Sequence, residues 1–205
     1  ISTVLREFEV VRKVLIKEGL IDISRRRKLP RFPKSIAILT SVPSSAFADI
    51  LRTAKERWPL TKLVVISIPV QGSKVKEVQT TLAKLALNCK KFNLEAIILA
   101  RGGGSREDLM LFDNEQVARE IAAFPIPVVT GIGHEDDLTV ADLVADHRAA
   151  TPTAAIVDLL PSKDIAKSQL LQRKNRVRDS YDWFVRNEKQ KLLEKRKAAD
   201  LRLPL

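Results

Sequence analysis

The chain has 205 residues, 45% of them hydrophobic, with a net charge of +11 and a single cysteine. That length supports one core domain of ordinary size plus an appendage. Cys89 alone excludes an internal disulfide and fits a reducing cytosol, and no apolar run approaches the ~18 residues of a transmembrane helix. The charge is uneven. Residues 1–34 hold 10 basic and 4 acidic side chains, residues 162–205 hold 13 and 6, and the stretch between them holds 13 and 15. Basic flanks around a near-neutral core fit a polyanionic partner such as nucleic acid; solvated basic helices would look the same. The chain opens without Met or a signal pattern and stops inside a charged helical pattern, so it reads as an excised fragment.

In chain order, Val4 to Glu18 places Val4, Leu5, Phe8, Val11 and Leu15 at helical spacing and stops at Gly19, a C′ residue. Arg25-Arg26-Arg27-Lys28, Pro30 and Pro33 form a basic connector. The first strand is predicted over Ser35 to Thr40. The Ser41-Val42-Pro43-Ser44-Ser45 loop ends in helix-capping residues, and a helix follows over Ala46 to Trp58. Leu63 to Ile68 is a second strand, closed by Pro69-Val70-Gln71-Gly72. A helix over Lys74 to Phe92 places Val75, Val78, Leu82, Leu85 and Ala86 on one face, and Cys89 in its last turns is a small core or surface residue. Ala96 to Ala100 is the third strand, a helix lies around Asn114 to Phe124, and Pro127 to Thr130 is the fourth strand. Leu138 to Asp146 is read as helical. Thr151-Pro152 is an N-cap and N1 pair opening a helix through Leu160. From Asp164 onward a polar helix carries a thin apolar stripe of Ile165, Leu170, Val177, Tyr181, Phe184 and Leu192, closer to a coiled-coil seam than to a globular face but without a strict heptad.

The strands are apolar throughout and alternate with helices. The fold class is therefore α/β, Rossmann-like: a parallel sheet of about four strands flanked by helices, with a long C-terminal helix. The domains read as an N-terminal helix and connector over 1–34, an α/β domain over 35–161, and the start of an extended helical region over 162–205.

Two apolar runs end in dense polar clusters. One is Arg101-Gly102-Gly103-Gly104-Ser105-Arg106-Glu107-Asp108; the other is Gly131-Ile132-Gly133-His134-Glu135-Asp136-Asp137. Glycines let the backbone turn sharply and let a ligand lie against exposed N–H groups. Ser105 and Asp108 have the spacing of a capping box, so a helix N-terminus is expected there to favour an anion. Arg101 supplies a planar fork suited to phosphate oxygens. Ser41, Gln71, Arg101 and His134 each lie just past the carboxyl end of a different strand, the edge at which open α/β sheets bind ligands.

His134 is able to take or give a proton near neutral pH, and a nearby carboxylate, Asp136 or Asp137, is able to orient it. Asp49, one turn into the helix after the first strand, is placed to reach the same edge. A histidine, aspartates and an arginine at a phosphate cradle point to phosphodiester hydrolysis. The bland alternatives are that the aspartates cap the next helix, that Asp49 is a solvated helix residue, and that Asp142 and Asp146 are solvated or paired with Arg148. Phe112 and its flanking leucines read as core. Asp136 and Asp137 have the hard oxygens a divalent cation favours, but no cluster has zinc-site spacing.

Several of these motifs, in this order, resemble the large subunit of bacterial exodeoxyribonuclease VII. They are Arg101-Gly102-Gly103-Gly104-Ser105-Arg106-Glu107-Asp108-Leu109, Phe112-Asp113-Asn114-Glu115, Gly133-His134-Glu135-Asp136-Asp137 and Ala145-Asp146-His147-Arg148-Ala149-Ala150-Thr151-Pro152, joined by Val70-Gln71-Gly72, Thr40-Ser41 with Pro43, and the Gly19-Leu20 to Pro33 connector. The resemblance runs from about Phe8 to Pro161 and continues into the helical tail. It implies a cytoplasmic exonuclease that degrades single-stranded DNA from either end to oligonucleotides with 5′-phosphates, in complex with several copies of a small helical subunit. It implies no obligatory metal, and leaves Mg2+ as an option. Carried over by motif, the catalytic residues are Asp49, Arg101, His134 and Asp137. Ser41, Ser44, Gln71, Gly102, Gly103, Gly104, Ser105 and Arg148 are the phosphate- and DNA-binding candidates.

The chain departs from the family pattern at Ser45, usually glycine, at Ala48, usually arginine, and at Asp136, usually threonine. The family's N-terminal oligonucleotide-binding domain has no counterpart here, which predicts weak DNA affinity for this segment. The competing reading is a non-catalytic phosphate- or nucleic-acid-binding module with a partner-recruiting helix. A metabolic enzyme for a small phosphorylated substrate fits less well, because it gives no reason for the basic flanks.

Overall fold

All four apolar runs become strands in the computed structural model, which describes residues 3–70, 74–102, 109–133 and 137–200. They are β1 (Ser35–Thr40), β2 (Lys62–Ser67), β3 (Ala96–Ala100) and β4 (Val128–Gly131). A fifth strand, β5 (His147–Arg148), adds to the expected four. It is only two residues long and has no apolar run to announce it. It forms because the ladder with β4 continues on both sides, Asp146 N–H donating to Val128 O and Ala149 N–H to Thr130 O. The sheet order is β2-β1-β3-β4-β5, and every pairing is parallel.

β1, β3 and β4 are buried at every position, as their unbroken apolar runs require. β2 departs from the expectation: it is an edge strand with Lys62, Val65 and Ser67 exposed. Successive side chains point to opposite faces. Ala37, Leu39, Ile97, Leu99 and Val128 pack into one core with α1 (Thr3–Lys17), α3 (Val75–Asn88), α4 (Glu115–Ala122) and α5 (Val140–Val144). Ile36, Ile38, Ile98 and Val129 pack into the other with α2 (Ser45–Arg57) and α6 (Pro152–Leu159). Each fully buried aliphatic contributes roughly 1.5–3 kcal/mol. The chain runs outward from β1 to β2, then crosses back to β3 on the other side of β1. The order therefore reverses between β1 and β3, and a crevice is left outside their carboxyl ends.

Local sequence explains most helix limits. α1 ends at Gly19, whose φ of +68° suits the C′ position. Its Phe8 and Leu15 enter the first core, and Glu18 after its last turn binds Arg119 of α4 through two bonds of 2.6 and 2.7 Å. Asn114 caps α4 by accepting from Gln116 N–H and Val117 N–H. Thr151 caps α6 by accepting from Ala154 N–H, with Pro152 at its start. α3 stops at Asn88, four residues short of the predicted end, and the chain turns through Asn93 at a φ of 51°. Cys89 is a core residue, its thiol donates to Leu85 O, and burial pushes its pKa up.

Ser162–Leu205 forms a second compact unit. It is built on α7 (Lys163–Asp200), 38 residues long, with the large apolar side chains of its stripe exposed: Leu170, Val177, Tyr181, Trp183, Phe184 and Leu192 among them. Among the described residues no helix is long and apolar enough to cross a membrane.

Candidate active site

The crevice at the reversal point holds a cavity of about 360 Å³ lined by Ser41, Ser44, Ser45, Pro69, Val70, Arg101 and Gly102. Its walls thus come from the ends of β1, β2 and β3, together with the first turn of α2. The volume lies within the range of small-molecule sites, and a wall of helix N-terminus, serines and arginine suits an anion.

The α2 end is built by Ser44. Its hydroxyl donates to Ser41 O at 2.7 Å and accepts from Phe47 N–H at 3.1 Å. This closes the loop and fixes the helix start, so the Ser44 side chain, a phosphate-binding candidate, lines the cavity while serving as the cap. Ser45 and Ala46 supply first-turn N–H groups, for which no carbonyl of the helix is available.

Arg101 stands at the end of β3 with 3% of its surface exposed, and its N–H donates to Gly131 O of β4. A guanidinium is kept ionised at neutral pH, so this is a nearly buried positive charge in the cavity wall. Gly102 follows, and a Cβ added there would lie 3.3 Å from Ala46 Cβ. The first turn of α2 and the start of the glycine loop are therefore in close contact.

At the end of β4, Gly131 packs against the start of α6. A Cβ there would stand 2.8 Å from Thr151 O. A Cβ on Gly133 would stand 2.8 Å from Asp137 Cβ, so the two residues that bracket 134–136 meet. Asp137 is half-buried. Arg148 on β5 is half-buried, in register with Thr130, with its Nε 3.9 Å from Asp142 Oδ2. Asp49 lies one turn along α2 and is not part of the cavity lining. Its carboxylate binds Arg52 at 2.8 Å, with both side chains well exposed. Gln71, Gly103, Gly104, Ser105, His134 and Asp136 lie outside the described residues. Among the described residues no three His, Cys, Asp or Glu side chains form a group that could hold a metal ion.

The helix start expected at Ser105 and Asp108 lies outside the described residues. Leu109 to Asp113 form a tight turn, with Phe112 N–H donating to Leu109 O and Asp113 N–H to Leu109 O and Met110 O. Leu109, Leu111 and Phe112 are all buried, a spacing that one helix face cannot satisfy. The helix N-terminus at the cavity is that of α2.

None of three buried carboxylates is solvated: Asp142 faces Arg148, the alternative read for it, Asp146 has a different partner, and Asp113 was not singled out. Asp142 belongs to a capping box: its Oδ2 accepts from Thr139 N–H and Oγ1, while Thr139 Oγ1 accepts from Asp142 N–H. The Thr139-x-x-Asp142 spacing was the available signal. Asp146 binds Arg27 and Val128 N–H, a pairing without local signature. Asp113, 8% exposed, accepts from Val140 N–H at 3.0 Å.

A wider cleft of about 940 Å³ lies between the starts of α3 and α4, lined by Lys74, Val75, Lys76, Glu77, Asn114, Glu115, Gln116 and Arg119. Arg119 is committed to Glu18 and Glu115, and Lys74 stands 3.8 Å from Glu77.

Comparison with known proteins places this geometry in context. The family model described as "Exonuclease VII, large subunit" matches residues 20–203. The chain is 58% identical over 204 residues to the exodeoxyribonuclease 7 large subunit of Parasynechococcus marenigrum (strain WH8102), covering 100% of this chain and 53% of that protein. It is 43% identical over 190 residues to that of Carboxydothermus hydrogenoformans, covering 92% and 40%, and 39% identical over 178 residues to that of Campylobacter fetus subsp. fetus, covering 87% and 44%. The chain spans about half the length of the curated relatives it matches.

Proposed function

This chain belongs to the exonuclease VII large-subunit family, and from that premise we propose that it carries the phosphodiester-cleaving site of an exodeoxyribonuclease acting on single-stranded DNA in the cytoplasm. The observation that carries the reading is the nearly buried Arg101 guanidinium beside the first turn of α2, at the crevice between β1 and β3. A scissile phosphate seated there meets a fixed cation and helix N–H groups before the reaction begins, and preorganised charge of this kind is the strongest contributor to stabilising a phosphoryl transition state.

In this scheme His134 and Asp137 handle protons. A water oxygen bonds to phosphorus, its proton passing to the base, and the P–O3′ bond breaks. The departing O3′ takes a proton, and the phosphate stays on the 5′ end of the other fragment. Arg101 offsets the charge that builds on the non-bridging oxygens. Ser41, Ser44, Gln71, Gly102, Gly103, Gly104, Ser105 and Arg148 line the path of the strand, and Asp49 joins from α2. The chemistry as written needs no metal; Mg2+ would find its oxygens at Asp136 and Asp137.

α7 supplies the second half of the proposal. Its exposed Leu170, Val177, Trp183 and Phe184 leave an apolar stripe that several copies of the small subunit would cover. The test uses the full-length polypeptide with that subunit. His134→Ala and Arg101→Ala are each expected to slow hydrolysis of single-stranded DNA by about 10²–10³-fold. Wild-type turnover in both would sink the catalytic assignment. Retained DNA binding without release of oligonucleotides by the wild-type protein would favour a non-catalytic binding module. Trp183→Ser with Phe184→Ser is expected to weaken small-subunit capture.

A further inference from the structure

The glycine loop and the histidine loop leave β3 and β4 separately, and their chemistry requires a fixed spacing between them. The structure ties their downstream ends together at one point. That point is the first turn of α5, which begins three residues after Asp137.

α5 is only 5 residues long. A helix so short has no stability of its own, so its position is set by whatever binds its ends. Its first three N–H groups lack intrahelical partners, and each is taken up. Val140 N–H donates to Asp113 Oδ1 at 3.0 Å, Ala141 N–H donates to Phe112 O at 2.9 Å, and Asp142 N–H donates to Thr139 Oγ1 at 3.2 Å. Two of the three acceptors therefore belong to the turn that directly follows the glycine loop.

That turn is itself rigid. Asp113 N–H is held by Leu109 O and Met110 O, and Leu109, Leu111 and Phe112 are fixed in the core with 2% or less of their surface exposed. Asp113 is 8% exposed, and its carboxylate at a helix N-terminus is favoured electrostatically as well as by the hydrogen bond.

We infer that Asp113 is a positioning residue for phosphodiester cleavage: by fastening the start of α5 to the turn after the glycine loop, it sets the placement of Asp137 relative to Arg101. The inference rests on the nuclease reading above. Asp113 does not touch substrate in this account; it acts through Val140 N–H.

The bond can be broken from either side. Asp113→Ala removes the acceptor. Val140→Pro removes the donor at the first position of a helix, where proline is tolerated, and Thr139 before it is already extended at φ −107° and ψ 163°, as a residue preceding proline must be. Asp113→Asn keeps an acceptor oxygen in place. All three are made in the full-length polypeptide with its small subunit, alongside His134→Ala, and assayed for turnover of a labelled single-stranded oligonucleotide, for DNA affinity and for melting temperature.

Asp113→Ala and Val140→Pro are each expected to lower kcat by about 10²-fold, the cost of a misplacement of about 1 Å, with KM and DNA affinity close to wild type. The double variant is expected to fall less than the product of the two single effects, because both remove the same bond. Asp113→Asn is expected to restore most of the turnover. Wild-type kcat in Asp113→Ala and Val140→Pro would overturn the inference, and so would an Asp113→Asn protein as slow as Asp113→Ala. If His134→Ala is inactive while Asp113→Ala turns over normally, this inference alone fails. If His134→Ala is fully active, the nuclease reading fails first.

Discussion

The two edges of the sheet are built from similar residues and arranged for opposite ends. At the amino edge, polar groups are consumed. Asp146, its side chain 3% exposed, accepts from Arg27 N–H at 2.7 Å and Nε at 3.0 Å, ion-pairs with Arg27 Nη2 at 2.8 Å, and accepts from Val128 N–H at 2.7 Å. Glu95 accepts from Lys34 N–H, and Thr61 Oγ1 donates to Pro33 O. The basic connector is thereby strapped beneath the strands. At the carboxyl edge, Arg101, Gly102 and the first turn of α2 line a cavity. Fastening and the proposed chemistry are thus segregated along the strand axis. Substitutions at one edge are expected to move the melting temperature, and at the other, turnover.

The largest test of that division is Asp146→Ala. It leaves the partly exposed Arg27 cation unpaired and a buried Val128 N–H unsatisfied, and breaking a buried pair from one side costs about 3–5 kcal/mol. A large drop in melting temperature is expected, with near-normal turnover per folded molecule at low temperature. An unchanged melting curve would mean that the amino edge is not fastened by this residue. Next in size is Gly131→Ala. The added methyl would stand 2.8 Å from the Thr151 carbonyl and 3.1 Å from Pro152 Cα, backbone atoms that cannot swing aside. Overpacking of this kind costs about 1–3 kcal/mol, read in denaturant unfolding. Here the carboxyl edge is close-packed against the start of α6, so the expected effect is on stability.

What was legible in the chain follows the same division. β1 and β3 were legible because four (Ile36 to Leu39) and five (Ala96 to Ala100) consecutive apolar residues suit a strand buried on both faces. Ser41 and Arg101 were legible as rim residues because they come directly after such runs. The Thr151-Pro152 start of α6 was legible because capping chemistry is local. β5 was not, since His147 and Arg148 carry no periodicity and pair only because β4 is already in place. Asp146 was not, since its partner Arg27 is 119 residues away and nothing near either residue announces the other. The N-terminal helix was readable from its spacing, but its clasp to α4 was not: Glu18 and Arg119 meet only in three dimensions.

That clasp gives a pH-dependent prediction. Hydrogen bonding from Arg119 holds the Glu18 carboxyl below its ordinary value of 4.5. A depressed folded-state value means that the contribution is complete above the unfolded value and is lost as pH falls through the folded one. Amide exchange along α1 is therefore expected to quicken as pH falls below the ordinary carboxyl value of 4.5, before the strands respond. Glu18→Gln is expected to remove that early step while leaving the later, global acid transition in place. Simultaneous loss of α1 and the sheet in the wild-type protein would show that the clasp has no separate role.

The smallest effect on stability concerns Asp49, the candidate that stands outside the cavity lining. Its pair with Arg52 is exposed, at 46% and 69% of side-chain surface, and such an i,i+3 contact is worth only about 0.2–0.5 kcal/mol. Arg52→Ala is therefore expected to leave the melting temperature almost unchanged. Because the pair is so weak, thermal motion is enough to release the carboxylate from Arg52, and a substrate phosphate or cation at the rim would compete for it. Asp49→Ala is expected to lower turnover without changing stability, whereas Arg52→Ala should leave turnover intact or raise it. If Asp49→Ala and Arg52→Ala instead change neither quantity, Asp49 is a solvated helix residue and drops out of the proposed site.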